Sequence, residues 1–281
     1  MTGPRRPPRL VVGLVLAAVF LLLGFVLPLL AGHDPRDWNA FPKNLKPSRA
    51  HWLGTTGLGQ DTFWLLTYSL RNSLILGILV GFFATVIGVV VGVFAGLKGG
   101  WTDRALSLLM DTFIVVPSLP ILILILLASL LQGRASILII SGVLIVFNWP
   151  WPARQIRSVA LTMREREFIH TAWFSGESTL TVIRTEIFPY VSSWAVGNFI
   201  NTVLVAIAVE SGLAVIGLSS LQESTLGTMI YWALQYQALL AGRWWWILTP
   251  VIAIMTLFIT LFLLASGQAE RASARRGRVV A

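Results

Sequence analysis

The chain carries apolar stretches too long and too free of charge for a water-soluble fold. Between Leu10 and Ala31 no residue is charged. A helix needs about 20 apolar residues to cross a hydrocarbon core of roughly 30 Å, and this stretch supplies them. Its apolar run exceeds the ~7–15 residues of a signal peptide, so we read it as a retained anchor. Five more spans follow: about Ser73 to Leu97, Ala105 to Leu131, Ser136 to the Pro150–Trp151–Pro152 break, Pro189 to Leu218, and Trp244 to Ser266. The expectation is an all-α integral membrane protein of six transmembrane helices. Composition agrees, with 12% charged residues against roughly 25% in a soluble domain.

Six spans place both termini on one side, and the basic residues say which. With the N-terminus inside, seven of the 21 Lys and Arg fall outside (Arg36, Lys43, Lys46, Arg49, Arg71, Arg134, Arg243) and fourteen inside. Positive charge collects on the cytoplasmic side, so the N-in, C-in arrangement is expected. The net charge of +9 is thereby explained without nucleic acid. The parsing is then residues 1–9 cytoplasmic, 10–31 first span, 32–72 external loop, 73–266 a five-helix core containing a cytoplasmic segment at 157–188, and 267–281 a basic cytoplasmic tail against anionic headgroups.

The segment 157–188 has helical spacing at Phe168, Ala172, Leu180, Ile183 and Ile187. Its charges nearly cancel. A mixed amphipathic surface of this kind suits docking to a protein better than lying on anionic lipid.

Catalytic constellations are missing from the sequence. There is no cysteine, which removes disulfides, thiolate metal sites and Cys nucleophiles. The histidines His33, His51 and His170 all lie in connections. No His-Glu-x-x-His, in-span Ser/His pair or phosphate-binding Gly-x-x-x-x-Gly-Lys-Ser/Thr occurs, so ATP-driven work must come from partner chains. Without Tyr-Asp or Gly-x-Gly-Asp, an intramembrane aspartyl protease is a distant reading.

Within the spans the chemistry-bearing residues are few. Asp111 and Glu210 are the acids, and intramembrane acids face the bundle interior or water. Each can line a translocation path or gate, or bond to a neighbouring helix or a sister subunit; the second is favoured. They also keep open a proton-coupled secondary transporter, which would need inverted repeats and a midplane site. Pro117 and Pro120 should bend the third span. Gly77, Gly81, Gly88, Gly92 and Gly96 give the second span a small-residue face for close packing. Trp244, Trp245 and Trp246 sit where an interfacial aromatic belt is expected.

Several short motifs bear on the family. The chain reads Ala153-Arg154-x-x-Arg157, then Arg164-Glu-Arg-Glu167-Phe, then Thr171-Ala172-x-x-x-Gly176, and later Phe188-Pro189. This resembles the coupling loop of ABC-importer permeases: two alanines, a glycine four residues after the second, and a Leu-Pro further on. Thr171 replaces the first alanine and Phe188 the leucine. His51-Trp-Leu-Gly54-Thr with Leu58-Gly59-Gln60-Asp61, Arg71-Asn-Ser73-Leu, Gly99-Gly100-Trp101-Thr-Asp103, Asp111 with Pro117-Ser118, and Glu210-Ser-Gly212-Leu213 resemble the dipeptide/oligopeptide branch. The long first external loop is similar to that of its C-type subunit. The likeness covers about residues 45–220 and thins beyond.

This resemblance implies the type I ABC-importer permease fold in a bacterial inner membrane. It implies a homologous second permease, two cytoplasmic ATPase subunits that bind ATP and Mg, an extracytoplasmic solute-binding protein, and peptides or nickel chelates as cargo. This chain would bind no cofactor itself. Arg164, Glu167, Thr171, Ala172, Gly176 and Pro189 would couple it to the ATPases. Asp111, Pro117 and Glu210 would belong to the pathway or a gate.

Overall fold

The computed structural model describes residues 7–134 and 136–279, with side-chain surroundings up to Arg271. Arg5 and Arg6 lie outside the described residues, as do the tail side chains Arg275, Arg276 and Arg278 and residues 280–281. Among the described residues every regular element is helical.

The first helix, α1, spans Pro8–Leu21 and runs on through a π turn and a 3₁₀ turn to Leu30. The next, α2, spans Thr62–Lys98. It starts well before Ser73, and the reason is physical. At 37 residues it is about 55 Å long, far beyond a roughly 30 Å hydrocarbon core. Hydropathy marks only the embedded part, whereas the helix begins at its cap. Asp61 supplies that cap, accepting from the backbone N–H groups of Phe63 (2.9 Å) and Trp64 (3.2 Å).

The third span is broken into α3 (Gly100–Val115) and α4 (Ser118–Leu131), which meet at 75°. Pro117 stands at the break as the residue before α4; it cannot continue the hydrogen-bond ladder of α3. The fourth span does not break at Pro150. There α5 (Ile137–Asn148) and α6 (Pro150–Arg164) form one 28-residue span. Pro150 and Pro152 occupy the first turn of α6, where missing N–H groups cost little.

Two short helices follow, α7 (Glu167–Phe174) and α8 (Thr179–Val182). A π turn at Ile183–Ile187 then leads straight into α9 (Phe188–Val215). Pro189 therefore sits in the first turn of α9 yet inside a longer helical run, and the wide π turn just before it accommodates the lost N–H. On the far side α10 (Leu226–Gln235) precedes α11 (Trp244–Val279). Among the described residues five helical stretches are each long and apolar enough to cross a membrane, and six if the bent α3–α4 pair counts as one span.

The centre of the bundle is α2, flanked by α6 and α9 through its glycines. A Cβ added at Gly77 or Gly81 would come within 3 Å of Ile207 or Val203 on α9. One at Gly88, Gly92 or Gly96 would press into Pro152, Ala153, Ile156 and Ala160 on α6. The small-residue face is a packing ridge for two helices at once. Outside, α1 packs antiparallel on α11, with Leu10 over Gly267.

The connection 31–61 is an ordered cap over one end. The indole N–H of Trp245 donates to the Thr55 carbonyl (3.2 Å), and Gln60 Nε2 donates to the Arg36 carbonyl (2.9 Å). Arg36 also binds Asp34 (2.7 Å), and its guanidinium holds that carboxyl below the usual carboxylate range. Trp245 and Trp246 are 4% and 1% exposed. These two are core residues that pin the cap, and of the three only Trp244 is placed for an interfacial belt.

Candidate functional site

Three clusters of motif residues come together in space. The first is at the end of the bundle opposite the cap. There α7 folds back so that Ile169 is buried against Val93, Leu97, Ile156, Val182, Ile187 and Val191. Ala172 is packed against the same cluster. The other face of the segment is open: Glu167, Thr171 and Gly176 are exposed. Phe174 and Leu180 are 91% and 75% exposed, large apolar groups that none of the described residues covers.

Gly176 makes the bend. Its amide donates to the Trp173 carbonyl (3.0 Å), and that of Glu177 donates to the Ala172 carbonyl (3.1 Å). Its φ is +81°. This is a Schellman C-cap, whose left-handed position favours glycine. Arg164 does not point outward with this surface; its guanidinium lies against Gly99 in the turn between α2 and α3. Pro189 is exposed at the start of α9. The six residues implied by the resemblance are thus divided: three on the open face, one beneath it, one folded into the core turn and one beyond the π turn.

The second cluster joins α3 to α6. Arg157 donates to both Asp103 oxygens, at 2.5 and 2.7 Å, a fork-to-fork ion pair. Arg154 lies 3.3 Å from Asp111. Sequence reading quoted all four residues but paired none. The partners of the first pair stand 54 positions apart, and only the crossing of α3 with α6 brings them together.

The third cluster is at the cap end. Glu210 is 1% exposed, and its Oε1 accepts from Ser219 Oγ (2.9 Å) and Thr225 Oγ1 (2.8 Å). The loop between α9 and α10 is thereby tied to α9. Ser73 Oγ accepts from the Leu226 amide (3.1 Å), and Asn72 Nδ2 donates to the Ser224 carbonyl (2.8 Å), which ties the same loop to α2. His51 Nδ1 meets Asp61 Oδ2 at 2.7 Å, so the His-to-Asp stretch of the cap organises the start of α2. Among the described residues no hydrogen-bond partner reaches Glu210 Oε2.

Comparison with known proteins gives the family. The profile described as "Binding-protein-dependent transport system inner membrane component" matches residues 88–276. The chain belongs to this family. The match continues well past residue 220, where the motif-by-motif likeness thins. The chain is 33% identical over 220 residues to the oligopeptide transport system permease protein OppC of Mycobacterium bovis, covering 76% of this chain and 74% of that one. It is 30% identical over 260 residues to the dipeptide transport system permease protein DppC of Bacillus subtilis, covering 90% and 79%. Among solved structures, the MetNI methionine ABC transporter in inward-facing conformations shares the fold: TM-score 0.57 at 20% identity, over 74% of this chain and 96% of that one. This protein is therefore a multi-pass inner-membrane permease of the ABC-importer class, and its family is one of transport rather than catalysis.

Proposed function

We propose that this chain is one permease half of an ATP-driven importer for peptides. A second permease completes the pathway. Two cytoplasmic ATPase subunits bind ATP and Mg and dock on the α7–Gly176–α8 segment, and an extracytoplasmic binding protein delivers the cargo. The observation that carries this reading is the segment itself. It is a short helix anchored by Ile169 and bent at a positive-φ glycine, and it offers Phe174 and Leu180 to a partner. An amphipathic helix of this kind fits a groove on a soluble protein. Anchored against α2, α6 and the start of α9, it can pass a partner's movement to the spans as a rigid body. The names of the relatives support peptides as cargo.

Sidedness is tested by labelling. The chain has no cysteine, so single thiols report without background. Ser48 and Ser178 are both exposed, at opposite ends of the bundle. An impermeant thiol reagent on intact cells should label Ser48→Cys and spare Ser178→Cys. The reverse pattern would overturn the N-in arrangement.

The energy source is tested by reconstitution. The chain alone should hydrolyse no ATP. With its partners it should import peptide only when ATP is supplied, and a protonophore should leave the rate unchanged. Uptake driven by a proton gradient without ATP would replace the importer reading with a proton-coupled one.

A further inference from the structure

From Arg154 onward the outward face of α6 is polar where its neighbour is apolar. The glycines of α2 fix the register of the two helices. A Cβ at Gly88 would meet Pro152, at Gly92 Ala153 and Ile156, and at Gly96 Arg157, Ala160 and Leu161. Level by level, Arg154 and Gln155 stand beside residues 90–92 of α2, and Ser158 stands beside 93–95. At those levels α2 shows Val90 and Phe94 outward, 62% and 45% exposed. On α6 the exposed residues from there on are Arg154, Gln155, Ser158 and, one turn on, Thr162, whereas one turn earlier the exposed residue is the apolar Trp151. Lipid suits the first surface. It does not suit the second, because charged and polar groups in a span turn to water or to protein.

The two ion pairs between α3 and α6 differ in the same sense. Asp103 and Arg157 are joined twice, with side chains 16% and 28% exposed. That pair ties the two helices directly. Asp111 and Arg154 make one contact at 3.3 Å with side chains 52% and 58% exposed, so both charges remain open to whatever lies beyond. A negative and a positive group side by side match the two ends of a peptide, an ammonium and a carboxylate.

We propose that the outward face of α6 from Arg154 onward, with Asp111 of α3, is the wetted wall of the pathway at the α7 end, and that the Asp111–Arg154 pair meets the terminal charges of the passing peptide. This rests on the peptide-importer reading above.

The test has two arms in the assembled transporter. In the first, Gln155→Cys, Ser158→Cys, Val90→Cys and Phe94→Cys are exposed to an impermeant thiol reagent in inside-out vesicles. The two α6 thiols should react and the two α2 thiols should not. Silence at all four would mean that a sister subunit covers the wall. Reaction at all four would mean that this level lies outside the membrane. Either result overturns the proposal. In the second arm, Asp111→Asn, Arg154→Gln and the double variant are compared for peptide uptake. Each single variant should lose about tenfold, the equivalent of one charge-assisted contact. The double variant should lose at least as much. If the pair only joins α3 to α6, the uncharged double variant transports like the wild type, because no charge is left unpaired; that outcome also overturns the proposal. Stimulation of ATP hydrolysis by loaded binding protein is measured in the same vesicles and should persist in all variants. Its absence in the wild type would sink the importer reading instead, and the labelling arm stands independently of it.

Discussion

Replacing Gly176 with Val or Asp should abolish peptide uptake while the chain accumulates in the membrane at its normal level. At φ +81° a side chain costs roughly 1–2 kcal/mol, enough to favour another arrangement of the bend. None of the described residues lies within 4 Å of a Cβ built there, so no core contact is disturbed and insertion should proceed. The loss would arise at the docked partner, through a redirected α8 and added bulk. Gly176→Asn separates the two causes, because Asn enters the left-handed region more readily than Val. It should retain more uptake than Val if backbone strain dominates, and no more if bulk does. Thr179→Val, at the exposed first position of α8, should be mild. The assay compares uptake, membrane abundance and co-purification of the ATPase subunits. Normal transport by Gly176→Val at normal abundance would remove residues 164–187 from coupling. Failure to accumulate would make the glycine a folding residue.

The second large effect is expected on the α2 ridge. A Cβ at Gly92 would lie 2.5 Å from the Ala153 carbonyl oxygen and 2.8 Å from Ile156 Cβ. Backbone cannot yield as the end of a flexible side chain can, so α2 and α6 must separate. Gly92→Ala should destabilise by about 1–3 kcal/mol, the usual range for overpacking, and Gly92→Leu should fail to accumulate. Gly142→Ala is the control: this helical glycine of α5 has none of the described residues within 4 Å of its Cβ, and Ala favours the helix by up to about 1 kcal/mol. Thermal unfolding in detergent, together with abundance, reads the difference. Wild-type melting of Gly92→Leu would show that the ridge is no packing surface.

Several features were legible in the sequence because they are local. Six apolar stretches outlast the thickness of a bilayer, and no tertiary contact is needed to read them. The spacing of Gly77, Gly81, Gly88, Gly92 and Gly96 already defines one helix face. Gly176 follows the periodic residues of α7, where a C-cap glycine belongs. Pro117 announces the bend of the third span, although not its 75°.

Other features were decided only by packing. Helix ends followed caps and not hydropathy, so α2 begins at Thr62, just after its Asp61 cap, and reaches far outside the apolar run. Pro150 and Pro152 read as a break but serve as a first turn, since α5 and α6 share one axis-length of span. Trp245 and Trp246 read as a belt but are buried, because the 31–61 cap folds over them. The pairs Arg157–Asp103 and Arg154–Asp111, and the grip of Ser219 and Thr225 on Glu210, join residues that local spacing cannot relate. Short-range propensity and membrane thickness act along the chain and are written in it. Which face of a helix meets a neighbour, lipid or water depends on how the helices cross, and that was fixed by the tertiary structure alone.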